Sequence, residues 1–163
     1  MWLQVSNQAG SVDPPLTEGF LLVQSEISAE LIAAYRATHY RVGQGANAFT
    51  LRVDVPSETL SRLCTASGHQ NALFITAYNP FSQTQSNAAN LDAHERLRDI
   101  LGSQAGMVIE SAGSDPPGAW PEEKSFLALG VDLVASKRLG IQFGQNAIVW
   151  AGEDAVPRLI LLR

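Results

Sequence analysis

The sequence predicts a single α+β domain built on a mixed β-sheet. Three patterns support this class: residues 49–55 alternate apolar and polar side chains, residues 72–77 are apolar throughout, and helical patterns separate the later strands. From Ala72 onward the predicted order is β-α-β-β-α-β plus one further strand. This order is typical of a ferredoxin-like arrangement, which would then occupy the C-terminal two-thirds of the chain.

Length and composition indicate one folded domain. The chain has 163 residues, of which 45% are hydrophobic and 17% are charged, and its mean hydropathy is +0.01. These values are ordinary for globular proteins and unlike those of disordered chains. We expect an irregular lead-in at 1–27, with one edge strand near Phe20 to Val23, and a single domain at 28–163.

The sequence of the first half of that domain predicts two helices and a hairpin. Ser28 is a suitable N-cap for a helix whose apolar residues recur at helical spacing. His39 to Val42 is expected to pair with 49–55 through a turn at 43–47. Pro56 would then open a second, short helix.

The second half predicts the core of the sheet. Because 72–77 does not alternate, we expect it to be the central strand of the sheet, with protein layers on both faces. A helix should run from Ser86 to Leu101 and close at Gly102, and another should run from Asp132 to Gly144. The remaining predicted strands are 107–112, 125–130, 146–150 and 158–162.

Charge, cysteine content and motifs exclude several functions. The net charge is -5 and basic residues do not cluster, which disfavours binding to nucleic acid. A lone cysteine, Cys64, suits a reducing compartment. The absence of a signal-peptide pattern and of an 18-residue apolar run predicts a cytoplasmic protein without a membrane span. The histidine spacing does not match a metal site, and the sequence contains no known phosphate-binding or hydrolase motif, so we expect no metal or cofactor.

The strongest candidate for a ligand site follows the apolar run. Tyr78 and Asn79 end that strand, and Asn87, Asn90 and His94 form a polar stripe on the next helix at i, i+3 and i+7. A strand end facing a helix N-terminus is a common place for ligands. The alternative is that these amides only satisfy loop and helix-end backbone groups.

Adjacent carboxylates enter the strand at 125–130. Glu122 and Glu123 must point to opposite faces of a strand, so at most one can face a pocket. If one is partly buried against Trp120, loss of solvation would raise its pKa and suit it to general acid or base catalysis. The alternative is a solvated pair of charges near Lys124.

A second amide pair precedes the strand at 146–150. Gln145 and Asn146 follow the predicted helix end at Gly144. Their side chains could cap the helix carbonyls, or they could point toward the same sheet edge as the first group.

Several quoted segments together resemble a known family. These are "AYRATHYRV", "ITAYNPFS" with the downstream "NAANLDAHERL", "WPEEKSFLALG" and "FGQNAIVW". In this order they resemble the bacterial family catalogued as domain of unknown function 3293, over about 31–150. The resemblance implies a small bacterial cytosolic protein and supplies no catalytic residues.

Three hypotheses of function follow from the sequence. The first is a domain that binds a small polar ligand, nucleotide-like or carboxylate-bearing, in an amide-rich pocket. The second is a hydrolase or transferase with Glu122 or Glu123 as general base. The third is an interaction or regulatory module with an exposed apolar patch around Trp2, Trp120 or Trp150.

Overall fold

A computed structural model of the protein describes residues 25–118 and 120–163. The predicted edge strand at Phe20 to Val23 and nearly all of the lead-in lie outside these residues. The helices are α1 (Ala29–Ala37), α2 (Glu58–Ser67), α3 (Asn87–Gln104) and α4 (Leu133–Gln142). The strands are β1 (His39–Val42), β2 (Phe49–Leu51), β3 (Ala72–Thr76), β4 (Met107–Ser114), β5 (Glu123–Leu129), β6 (Ala147–Ala151) and β7 (Arg158–Leu161).

The described strands form one seven-stranded sheet in the order β2-β1-β4-β5-β3-β6-β7. The α+β class is confirmed, but the prediction of a mixed sheet is wrong for the described strands, because every neighbouring pair is antiparallel. The reason lies in the two helical connections. α3 joins β3 to β4 across β5, and α4 joins β5 to β6 across β3. Each connection therefore skips one strand, and antiparallel neighbours result.

The interior position predicted for the strand at 72–77 is confirmed. Leu73 and Ile75 pack with α3 and α4 on one face of the sheet, whereas Phe74 packs on the other face with Leu60 of α2. Both faces of β3 are thus covered by apolar groups, which explains the unbroken apolar run. The prediction that this strand is the central one is wrong by one position, because β5 occupies the middle of the sheet and β3 lies next to it.

The sheet curls around the face that carries Phe74. The ring centroids of Phe74 in β3 and Tyr40 in β1 are 5.1 Å apart, although β4 and β5 lie between those strands in the sheet. Side chains on this face can meet across two intervening strands only if the sheet is strongly curved. We call it the concave face, and it holds the site described below.

Helix starts follow the predicted capping chemistry. The side chains of Ser28 and Asp132 accept hydrogen bonds from the backbone N–H three residues ahead, at 3.2 and 2.8 Å. Ser86 does the same for α3, at 3.2 Å. The predicted end of α3 at Leu101 is wrong, because the helix continues through Gly102 to Gln104.

The hairpin of β1 and β2 is confirmed, but β2 is shorter than predicted. It ends at Leu51 because Asp54 adopts a left-handed backbone, with φ +63°, and donates its N–H to the carbonyl of Pro157 at 2.8 Å. The strand therefore ends inside the alternating stretch at 49–55, which had predicted a longer strand. Most other strand boundaries lie within two residues of those predicted.

Within the described part of the chain, no helix combines the length and the apolar character needed to cross a membrane.

Candidate functional site

A cavity of about 340 Å³ opens on the concave face of the sheet. Its walls come from α1, from β1 and β3 to β7, and from the segments that follow β3 and precede β5. Phe74, Val149 and Leu159 supply apolar wall, while Asn79 and Glu123 supply polar wall. A site with mostly apolar walls and a few converging polar groups is the usual form of a pocket for small molecules.

Asn79 is the centre of the polar wall. Its N–H donates to Oδ1 of Asn90 at 2.9 Å, and Nδ2 of Asn90 donates to its Oδ1 at 3.0 Å. The Asn79 Nδ2 group in turn donates to Oε1 of Glu123 at 2.8 Å. The N–H of Gln85 completes the set by donating to Asn79 Oδ1 at 3.0 Å. Since each side-chain atom of Asn79 is engaged, its orientation is fixed, and it fixes the carboxylate of Glu123.

Strand alternation separates the two adjacent carboxylates as predicted. Glu123 opposes Gly113 of β4, lines the cavity and is half-buried. Glu122 is exposed on the opposite side and pairs with Arg41, with an Oε2 to Nη2 distance of 3.0 Å. Burial raises the pKa of Glu123, and the hydrogen bond from Asn79 offsets part of that rise. The cavity therefore contains one of the two predicted carboxylates.

Tyr78 and Gln145 form a second part of the wall. Gln145 is buried, and its Nε2 donates to the carbonyl of Tyr78 at 3.1 Å and to that of Phe143 at 3.2 Å. The side chain of Gln145 thus hydrogen-bonds both to the end of α4 and to the cavity wall. Burial, and next the negative charge of Glu123, raise the pKa of the Tyr78 hydroxyl.

Two hydroxyl groups, from Tyr35 of α1 and from Ser82, form a third part of the wall. The hydroxyls of Tyr35 and Ser82 are 2.7 Å apart, and Nδ2 of Asn146 donates to them at 3.2 and 3.1 Å, respectively. Tyr35 and Ser82 line the cavity, whereas Asn146 is buried behind them. Nη1 of Arg163 donates to Oδ1 of Asn146 at 3.4 Å. The predicted amide at 146 therefore supports the wall from behind.

The segment after β3 has a strained backbone. Asn79, Phe81 and Ser82 have φ values of +46°, +56° and +56°, a left-handed conformation that is uncommon for residues other than glycine. Gly144 braces the segment, because its carbonyl accepts the N–H of Phe81 at 2.7 Å. Strain of this kind costs free energy and is concentrated at functional sites in proteins.

The predicted stripe on α3 divides into three different environments. Asn87 is exposed, so the prediction that it contributes to a pocket receives no support from its position. Asn90 is buried and reaches the cavity only through Asn79. His94 is buried, stacks on Phe126 at 4.2 Å between ring centroids, and lies behind Tyr78.

His94 lacks full hydrogen bonding. Its Nε2 is 3.4 Å from Oε2 of Glu110, but the geometry is not that of a hydrogen bond, and Nδ1 has no partner among the described residues. Burial lowers the pKa of His94, and the nearby Glu110 carboxylate opposes that effect. We conclude that a neutral, structural imidazole fits this position best.

Sequence patterns did not identify every lining residue. Tyr35, Ser82 and Thr84 line the cavity, and so does Tyr40, but none of them stood out by spacing. Tyr35 belongs to α1, whose apolar residues recur at helical spacing, and this is compatible with its place in the cavity wall. The shared signal is residue type, since all three tyrosines of the chain line this cavity.

No group of three or more histidine, cysteine, aspartate or glutamate side chains is placed to hold a metal ion in residues 25–118 and 120–163. The described residues define an α+β protein with a cavity on the concave face of an antiparallel sheet, lined by apolar side chains and a few polar groups.

Residues 75–148 match the family described as "Protein of unknown function (DUF3293)". This match confirms, over that range, the resemblance noted from the sequence. The matched range begins in β3 and ends in β6, so it contains Tyr78, Asn79, Glu123 and Gln145. No curated protein and no solved structure matches the chain.

Proposed function

We propose that the protein binds a small polar molecule in the cavity on the concave face. The observation that carries this proposal is the half-buried carboxylate of Glu123, held toward the cavity by Asn79. The cavity volume of about 340 Å³ agrees with the lower part of the range of roughly 300–1,000 Å³ found for ligand pockets. Hydroxyl and amide groups on the same wall can orient a ligand.

A purely structural role explains Glu123 poorly. Its carboxylate makes one side-chain hydrogen bond, to Asn79, and no lysine or arginine of the described chain pairs with it. Burial of a carboxylate without a cation lowers stability. A ligand that donates to this carboxylate would recover part of that free energy. We therefore attribute the cost of placing Glu123 here to function.

The proposal is tested by thermal unfolding of the purified protein with nucleotides, sugar phosphates, amino acids, organic acids and amines. A ligand at about 100 times its Kd adds roughly 2.7 kcal/mol, which for a chain of this length raises Tm by about 5–10 °C. Glu123→Gln should abolish most of the shift.

Glu122→Gln is the matched control for this experiment. It makes the same chemical change one residue away, outside the cavity, so it should retain the shift. The proposal is wrong if no compound shifts Tm, or if Glu123→Gln and Glu122→Gln respond alike.

A second candidate function is acid-base catalysis in the same cavity. It is favoured by the raised pKa of Glu123, because a carboxyl whose pKa moves toward neutrality is a better general acid or base. Once a ligand is identified, its turnover can be followed by mass spectrometry. Loss of Glu123 as general base should lower the rate at saturating ligand by about 10²–10⁴. Binding without turnover would leave the protein a binding domain.

Of the two described tryptophans named in the interaction hypothesis, Trp120 is exposed and Trp150 is not. Trp120 lines the cavity on the concave face, whereas Trp150 packs on the opposite face and donates Nε1–H to the carbonyl of Val131 at 3.1 Å. Trp2 lies outside the described residues. Because Trp120 and Trp150 are on opposite sides of the sheet, they do not form one patch.

We also infer that the central strands form a ferredoxin-like unit. The inference is supported by the order β4-β5-β3-β6 and by the packing of α3 and α4 on the same face. A crystal structure would test it by the direction and order of these four strands.

A further inference from the structure

The lining of the cavity carries negative charge only. Glu123 is the one carboxylate among the described lining residues, and no lysine, arginine or histidine belongs to that lining. Arg163 comes near through Asn146, but its Nη2 is paired with Glu26 at 2.8 Å. An anionic ligand would therefore meet a carboxylate without a cation to balance it, which is unfavourable in a partly buried site.

Aromatic side chains line the same cavity as this carboxylate. Tyr35, Tyr40 and Tyr78 line the cavity together with Phe74 and Trp120. Aromatic faces attract cations, because the faces of the rings carry partial negative charge. A carboxylate combined with aromatic walls is thus a chemical environment that selects an organic cation.

We propose that the ligand of this cavity is an organic amine whose ammonium group binds the Glu123 carboxylate and whose apolar body packs against Phe74 and Val149. This inference rests on the proposed function and narrows its ligand class. It argues against the nucleotide-like and carboxylate-bearing ligands that the amide pattern alone suggested.

The hydrogen-bonding capacity of Glu123 agrees with an ammonium partner. Asn79 occupies Oε1 at 2.8 Å, and Oε2 accepts no hydrogen bond from the described residues. A carboxylate has about four acceptor positions and an ammonium has three donors. Binding of the ammonium would satisfy the second oxygen and compensate the charge.

The apolar wall explains why a bare inorganic cation fits less well. Phe74, Val149 and Leu159 offer no oxygen ligands, and no cluster of metal-binding side chains is found in the described residues. Metal ions such as Mg²⁺ and Ca²⁺ need several oxygen ligands. An amine with a hydrocarbon body matches both the carboxylate and the apolar wall.

Two matched sets of probes test the ligand class. The first is 2-phenylethylamine, 2-phenylethanol and 3-phenylpropanoate; the second is butylamine, butanol and butyrate. Each set keeps the apolar body similar and changes the charge of the head group. Tm and calorimetric binding are measured at neutral pH for the wild type, Glu123→Gln and Glu122→Gln, after circular dichroism confirms that both variants fold.

We expect at least one amine to bind at least tenfold more tightly than its alcohol, and its acid not to bind. Glu123→Gln should reduce the ratio of amine to alcohol affinity at least tenfold, whereas Glu122→Gln should preserve it. Equal or better binding of an alcohol or acid would overturn the amine assignment while leaving the cavity a binding site. If no amine binds, the assignment is also overturned, and the panel described above then decides whether the cavity binds anything.

Discussion

Replacement of Asn90 by alanine tests the claim that this residue holds the polar wall in place. The change removes the hydrogen bonds between Asn90 and Asn79 at 2.9 and 3.0 Å. Loss of the bond that Asn90 donates costs about 1 kcal/mol, and loss of the partner of the Asn79 N–H in a partly buried position costs about 2 kcal/mol. Alanine regains about 0.6 kcal/mol through its better helix propensity. We expect a net loss of about 2–3 kcal/mol in the free energy of unfolding.

Urea unfolding at neutral pH measures this loss, and a fall in Tm of about 5–10 °C should accompany it. Asn87→Ala is the matched control, because Asn87 is exposed on the same helix and the same amide is removed. Its effect should lie within about 0.5 kcal/mol of zero. If both variants unfold at the same urea concentration as the wild type, Asn90 does not support the wall. Ligand binding should also weaken in Asn90→Ala, since Asn79 would no longer be held toward Glu123.

Two further predictions concern pH and backbone strain. Because burial lowers the pKa of His94 below its ordinary 6.5, protonation favours the unfolded chain, so stability present above about pH 6.5 should fall as the pH drops below it. His94→Gln should make the decline between pH 7 and 5 less steep in urea unfolding, and an unchanged slope would contradict this. Gly144→Ala should cost about 1–2 kcal/mol for its left-handed backbone, with φ +64°, and more because its Cβ would lie 3.0 Å from Cβ of Pro80. Gly45→Ala, with φ +68° and open space around its Cβ, should cost only the backbone term, and equal losses in the two variants would refute the bracing role of Gly144.

Local patterns were enough to predict most elements of the fold. The apolar run at 72–77 predicted an interior strand, and Ser28 and Asp132 marked helix starts, because capping and burial depend on neighbouring residues. The pairing of strands was not predictable in the same way. The pairing of β1 with β4 depends on contacts between distant parts of the chain, and local periodicity does not report it.

The candidate site was predicted in part for the same reason. Strand alternation required Glu122 and Glu123 to separate, but the choice of Glu123 for the cavity follows from which face of the sheet is concave. Tyr35 reaches the wall through its contact with the concave face, where the Tyr40 hydroxyl donates to its carbonyl at 2.6 Å, and Ser82 reaches it through the left-handed backbone after β3. Neither property has a periodic pattern in the sequence.

The central claim is that the cavity on the concave face binds a ligand through Glu123. Amide chemical shifts of isotope-labelled protein, titrated with the panel compound that raises Tm most, test it most directly. We expect the changes to centre on Thr76 to Asn79, on Glu123 to Ser125 and on Gln145, and to vanish in Glu123→Gln. Changes confined to residues outside the cavity, or equal changes in Glu123→Gln, would contradict the claim.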